Sequence, residues 1–314
     1  MLNFLRLSKR YGVFLPIACM LAFRSPITVA HAQALTAHEI ELKRLAESQQ
    51  LSAADEKRWL EDFKEWSKTQ PAEVFRVRLT LENRYRERLA AEGLSPDQIN
   101  VRYGSIIKTR QDDQEWWRIS GNKTYEAGWY EGTPPSKHLA EFVEGKTPGK
   151  ALDCGMGAGR NAVFLASLGW DVTGVDRSDV AVKRAEELAA KAGVKIHAVR
   201  SLYQDFDWGK NQWDLIVNVG SWDNVGEPTS TFSRAPLAAA LKPGGALYVE
   251  SGANDKVDWE RAFMEGLFPG VHADQRLLKD VSQFRAGWPN DPTRAAGPQN
   301  VVVLTVRKPG DAKH

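Results

Sequence analysis

The chain has 314 residues, 42% of them hydrophobic and 26% charged, which is the balance of an ordinary globular protein. Forty-two basic side chains stand against 40 acidic ones, a formal net charge of +2, so no overall field draws the protein to nucleic acid or to an anionic membrane. The length holds one large domain with an appendage, or two ordinary domains.

The first 32 residues have the order of an export signal. Arg6, Lys9 and Arg10 precede an apolar run from Val13 to Phe23, and Ala30 and Ala32 form a small-residue cleavage site before Gln33. The run is too short for an ordinary membrane-spanning helix, and Pro16, Ile17 and Ala18 ahead of Cys19 make a poor lipidation box. The expectation is a signal peptide over 1–32, cut near Ala32, and a periplasmic or secreted protein without stable membrane insertion. If the segment does not act as a signal, the protein is cytoplasmic. Removal of the segment leaves Cys154 as the one thiol and no intrachain disulfide.

Residues 33–118 read as a helical N-terminal region. Thr36 to Glu39 has capping-box spacing and opens a helix with Ile40, Leu42 and Leu45. Ser52 caps a second helix with Trp59, Leu60, Phe63 and Trp66 on one face. Pro71 suits the first turn of a third, with Val74, Val77, Leu81 and Tyr85 as its stripe, and Ser95 to Gln98 form another capping box. These stripes are expected to pack against one another and the main domain. Residues 119–136, rich in Gly, Pro and aromatics, are expected to be a structured connector, and 119–149 as a whole a connector and cover. Gly145-Lys146-Thr147 lacks the earlier glycine of a phosphate-binding loop.

From 150 to 309 short apolar strands alternate with amphipathic helices, the pattern of a parallel sheet covered on both faces. Strands are expected at KALDC, WDVTGVD, VKIHAVR, WDLIVNV, ALYVES and VVVLTVRKP; residues 310–314 form a tail. Ligands of such sheets bind outside the carboxyl ends of the strands. The first strand ends in Asp153 followed by Gly155, Gly157 and Gly159, which let the backbone turn sharply. A carboxylate at that point repels phosphate and suits a ligand with a positive centre. Asp176 closes the second strand, where it can accept both hydroxyls of a ribose. A ligand with a ribose, a cation and no phosphate fits S-adenosylmethionine. The plainer reading of either acid is a cap on the helix that follows it.

The stretches ALDCGMGAGRNAVFLASLGWDVTGVD, FDWGKNQWDLIVNV and LKPGGALYVES, in this order, resemble a class I S-adenosylmethionine-dependent methyltransferase. They are nearest to the small bacterial branch of tellurite-resistance and thiopurine-type enzymes. The resemblance runs from about Pro134 to Pro309 and implies a Rossmann-like α/β fold, with a mixed seven-stranded sheet whose last strand is antiparallel. It also implies S-adenosylmethionine as cofactor. Asp153, Gly155 and Gly157 would then line its methionine end, with Gly159 helping the turn, Asp176 would hold the ribose and Arg177 would flank the adenine. The backbone of Leu202 and the ring of Tyr203 would contact the adenine. Asn218 and Gly220 would face the sulfonium and the acceptor. Trp129 and Tyr130 stand where the branch carries an aromatic cover, though Trp129 reads equally as core.

Asp223, in NVGSWDN, is the candidate base, and Trp222 beside it could shape the acceptor pocket. No Asn/Asp-Pro-Pro-aromatic sequence follows the fourth strand, which argues against methylation of nucleic-acid bases. The six histidines show no metal-ligand spacing, so no metal is expected. The reaction expected is methyl transfer to a small molecule bearing an O, N, S or metalloid nucleophile. The alternatives are a non-catalytic cofactor-fold module and a nicotinamide-dependent oxidoreductase using the same glycine turn.

Overall fold

The computed structural model describes residues 37–76, 78–129, 131–220, 234–252, 257–279 and 301–310. The signal-like segment, Thr36, Val77, Tyr130, Trp222 and Asp223 lie outside them.

Seven strands form one sheet: β1 (Lys150–Cys154), β2 (Asp171–Asp176), β3 (His197–Arg200), β4 (Trp213–Val219), β5 (Leu241–Gly252), β6 (Asp274–Leu278) and β7 (Val301–Arg307). Their order is β3-β2-β1-β4-β5-β7-β6. The first five run parallel, while β7 is antiparallel to both β5 and β6. The order reverses at β1 and β4, so a crevice opens at their carboxyl ends. Both faces are covered, because alternate residues along each strand serve opposite cores. Leu152, Cys154, Ile216, Leu247 and Val249 pack on one side with α9 (Arg234–Ala240) and Phe263 and Met264 of α10 (Val257–Glu265). Ala151, Val172, Leu215, Val217 and Tyr248 pack on the other. There they meet α6 (Lys137–Val143), α7 (Arg160–Ser167) and α8 (Asp179–Ala192).

Glu250, fully buried at the end of β5, accepts hydrogen bonds from Ser136 Oγ at 2.5 Å and Tyr248 Oη at 2.9 Å. Ser136 also caps α6 by accepting from the Leu139 N–H. The start of that helix is thereby fastened to the sheet.

The N-terminal region is a helical cluster of α1 (Ala37–Glu47), α2 (Ala53–Thr69), α3 (Arg78–Ala91) and α4 (Pro96–Thr109) around Phe63, Tyr85, Leu89, Tyr103 and Ile106. Ser52 and Ser95 cap α2 and α4, the latter with the reciprocal Gln98 bond. Three elements differ from the sequence reading. The segment after Pro71 makes a 3₁₀ turn over Ala72–Arg76 before α3 begins, so the third helix is divided. Glu39 is buried, and Arg110 donates to it at 2.8 Å, while Thr36, the other half of its capping-box spacing, lies outside the described residues. Ile40 is the exposed member of α1. Most consequentially, residues 119–126 are not connector but the second half of α5 (Gln114–Glu126). Asp113 caps that helix, and Trp116 and Ile119 bury its apolar side.

α5 rests on the cluster through Lys64, which contacts Asp113 at 3.0 Å and Glu115 at 3.3 Å, and through Trp116 against Phe63. Its other side meets α8. Among the described residues no helix is long and apolar enough to cross a membrane.

Breaking a buried ion pair leaves one charge without compensation. Arg110→Ala should therefore cost about 3–5 kcal/mol of folding stability, read as a lowered urea midpoint. Exchange of both Arg110 and Glu39 for apolar residues of similar size should cost much less. Equal losses from the single and double changes would contradict the buried-pair account.

Candidate functional site

The glycine turn joins β1 to α7 and is tied sideways to β2, since the Gly155 and Met156 N–H groups both donate to the Val175 carbonyl at 2.8 and 3.0 Å. Gly157 has a φ of 56°, and a Cβ there would stand 2.6 Å from the Tyr125 hydroxyl. Gly159, at φ 85°, would place a Cβ 2.7 Å from the Cβ of Ala185 on α8. Both positions therefore need glycine for backbone conformation and for close approach.

Asp153 points into this turn from the end of β1. It is 1% exposed, and its Oδ2 has no hydrogen-bond partner. Burial pushes its carboxyl up to about 7; the charge of Asp176 adds to this, while Arg160 and the Ala162 N–H oppose it. A buried, unpaired carboxylate oxygen is costly unless a donor or cation reaches it.

Asp176 sits across the turn at the end of β2. Its Oδ2 accepts from the Gly157 N–H at 3.0 Å and its Oδ1 from the Ser178 N–H at 2.8 Å. Burial raises its pKa, against those two amides and the Arg177 charge. A carboxylate offers about four acceptor positions, so capacity remains for further donors. Asp176 does not cap α8; Ser178 does, accepting from the Ala181 N–H.

The other anticipated residues fall around this centre in different ways. The Arg177 guanidinium lies 4.9 Å from the ring centre of Trp117 on α5. Ser201 N–H donates to the Asp176 carbonyl, which keeps the segment carrying Leu202 and Tyr203 beside β2. The Tyr203 ring packs partly against the core, and its carbonyl accepts from Trp208 Nε1. Asn218 is fully buried, and its Nδ2 donates to the Cys154 carbonyl at 2.8 Å, clamping β4 to β1 beneath the crevice. Gly220 is at the rim, with its N–H on the Glu250 carbonyl. Trp129 stands on the turn after α5, with its N–H on the Thr124 carbonyl. Arg160 donates to the Pro134 carbonyl, and Asn161 accepts from the Ser136 N–H, so both tie α7 to the preceding loop.

Sequence reasoning ended the helical region at 118 and so missed the second half of α5. Tyr125 is the aromatic that reaches the glycine turn, and Asn122 accepts from Ser178 Oγ at 2.8 Å. The available signal was Asp113 as N-cap, with Arg118, Asn122 and Tyr125 at helical spacing on one face.

Residues 151–245 match the family model described as a methyltransferase domain. Over 118 residues the chain is 36% identical to the ribosomal RNA small subunit methyltransferase C of Alcanivorax borkumensis, a match covering 35% of each chain. It is 25% identical over 203 residues to the ubiquinone biosynthesis O-methyltransferase of Escherichia coli, covering 62% of this chain and 81% of that one. A solved structure of Haemonchus contortus phosphoethanolamine N-methyltransferase 2, with phosphomonomethylethanolamine and S-adenosylhomocysteine, aligns over 61% of this chain and 58% of its own. Its identity is 16% and its TM-score 0.46. The chain thus carries a methyltransferase domain over residues 151–245, and S-adenosylmethionine is the cofactor of that domain.

The residues present fit that cofactor, since the unpaired oxygen of Asp153 is an acceptor waiting for a cationic donor. Its raised pKa also fixes a sign. The folded-state value of about 7 lies above the ordinary carboxyl value of 3.8, so the stability tied to the proton is complete below the lower value and is lost as pH rises through the higher. Asp153→Asn should therefore raise the melting temperature of the ligand-free protein at about pH 8 and raise it by less than half as much at about pH 5. The same gain at both pH values in thermal melts would show that this carboxyl does not titrate in the interval.

Proposed function

We propose that the protein transfers the methyl group of S-adenosylmethionine to a small-molecule acceptor with a nucleophilic O, N, S or metalloid centre. The observation that carries the reading is the pair of buried acids on either side of one glycine turn, Asp153 with an unpaired oxygen and Asp176 with acceptor capacity to spare. When bound, the cofactor supplies a methyl group activated by a sulfonium centre.

The chain's own part is to bind, orient and exclude water. Asp153 receives the ammonium group, and the backbone of Gly155, Gly157 and Gly159 makes room for the methionine end. Asp176 accepts the ribose hydroxyls. Arg177, Leu202 and Tyr203 flank the adenine, and Trp129 contributes to the cover. Asn218 acts from below by fixing the ends of β4 and β1 relative to each other, while Gly220 leaves the rim open toward the acceptor. Asp223, in the segment after β4, is the proposed base for acceptors that must lose a proton.

The small acceptor is supported by the even balance of 42 basic and 40 acidic residues, which offers no field for holding a polyanion. It is also supported by the relative named for ubiquinone O-methylation. The tellurite-resistance and thiopurine-type motifs point to the same class of acceptor. The N-terminal segment supports export, with cleavage near Ala32.

Asp176→Ala should weaken S-adenosylhomocysteine binding by roughly 1.5–3 kcal/mol, the worth of hydrogen bonds to a charged group. Unchanged affinity in calorimetry would remove Asp176 from the ribose. A panel of small phenols, amines, thiols and metalloid oxyanions, assayed by S-adenosylhomocysteine release, should give turnover. Transfer to ribosomal RNA and to no small acceptor would overturn the acceptor class, and binding without any transfer would favour a non-catalytic module. Mass measurement of the mature protein from fractionated cells should find an N-terminus near Gln33 outside the cytoplasm; an intact Met1 in the cytoplasm would refute export.

A further inference from the structure

The N–H groups of Gly157 and Ser178 donate to the two oxygens of the Asp176 carboxylate. α5 touches both residues. Ser178 Oγ donates to Asn122 Oδ1 at 2.8 Å, and the Tyr125 hydroxyl stands where a side chain on Gly157 would be. Asn122 and Tyr125 are three residues apart on α5, hence on one face. Around this contact the docking is polar and dense. Asn122 Nδ2 donates to Asp179 Oδ2 at 3.1 Å, and Arg118 Nε donates to the same oxygen at 2.6 Å. Trp117 lies against the Arg177 guanidinium, one residue beyond Asp176. At its other side α5 is held by the helical cluster, through Lys64 to Asp113 and Glu115 and through Arg76 to the Ala127 carbonyl at 3.1 Å.

We propose that Asn122 and Tyr125 are positioning residues for Asp176, and that through them the N-terminal helical region sets the affinity of the methyltransferase domain for its cofactor. Neither the glycine turn nor the first turn of α8 is a fixed object by itself. Each is a short backbone segment whose N–H must aim at one carboxylate oxygen, and a hydrogen bond weakens steeply as its angle closes. Asn122 fixes the Ser178 side chain, and with it the first turn of α8. Tyr125 limits how far the Gly157 peptide can move. A carboxylate gripped on both oxygens presents its remaining lone pairs in one direction, which is what recognition of a vicinal diol requires. The helical region thereby becomes a component of the binding unit.

The proposal rests on the assignment of Asp176 to the cofactor ribose, and a double-mutant cycle separates the two. S-adenosylhomocysteine affinity is measured by calorimetry on the full chain, with Asn122→Ala and Tyr125→Phe each made alone and in an Asp176→Asn background, and each variant's thermal melt recorded. In the presence of Asp176 either change should weaken binding about tenfold, the scale of one hydrogen bond. In the Asp176→Asn background the same change should cost less than about twofold, because the group it acts through is gone. Arg118→Ala, which breaks only the outer ion pair to Asp179, should leave affinity unchanged.

Equal losses in both backgrounds, or unchanged affinity in the presence of Asp176, would overturn the proposal and leave the ribose assignment standing. Should Asn122→Ala fail to fold, Tyr125→Phe decides the cycle alone. No binding of S-adenosylhomocysteine by the unsubstituted protein would overturn the cofactor reading, and this proposal with it.

Discussion

Two carboxylates buried side by side at the ends of adjacent strands constrain everything else at the carboxyl edge of this sheet. The charge of Asp176 raises the energetic cost of the charge on Asp153, and both residues are buried. The fold meets that cost differently at the two positions. Asp176 is compensated by backbone donors, one from the glycine turn and one from the start of α8. Asp153 keeps an oxygen without any protein donor. The compensated acid behaves as structure that can also bind, whereas the uncompensated one is a standing demand for a positive group. That asymmetry is what the sheet, the glycines and the neighbouring helices preserve.

The helical region gains meaning from the same constraint. Its own cohesion comes from aromatic packing around Phe63 and Tyr85 and from the buried Glu39–Arg110 pair. α5 belongs to both parts, with Trp116 in the helical cluster and Asn122 on the first turn of α8. A rigid element shared between two packed bodies transmits displacement from one to the other. The boundary between extension and domain therefore runs through a helix rather than through a linker.

Much of this was legible in the sequence because the signals were local. Apolar strands read correctly from KALDC, WDVTGVD and WDLIVNV, and the Ser52 cap and the Ser95 capping box formed as their spacing required. The seven-stranded mixed sheet with an antiparallel last strand followed from the family resemblance rather than from periodicity. What failed was non-local. Gly121 and the aromatics of 119–136 suggested a loop, yet Asp113 upstream and Ser178 far along the chain make 114–126 a helix. The burial of Glu39 was not legible, because its partner, Arg110, is 71 positions away. Asn218 could be placed at a strand end, but its burial and its hold on the Cys154 carbonyl are consequences of the packed sheet. The divided third helix belongs to the same class, since Pro71 marks a start without fixing which kind of turn follows.

Cys154 lies directly beneath this site, with its backbone carbonyl clamped by Asn218. Its thiol is 1% exposed, and burial together with the adjacent Asp153 charge pushes its pKa well above the usual thiol value. The reactive thiolate is thus suppressed twice, by access and by ionisation. Alkylation has to wait for β1 to come away from its neighbours, so the pace of labelling is a clock on the opening of that strand. The protein carries in one sulfur atom a native reporter of how firmly its central strand is closed, and any ligand that secures the ends of β1 and β2 will slow the clock.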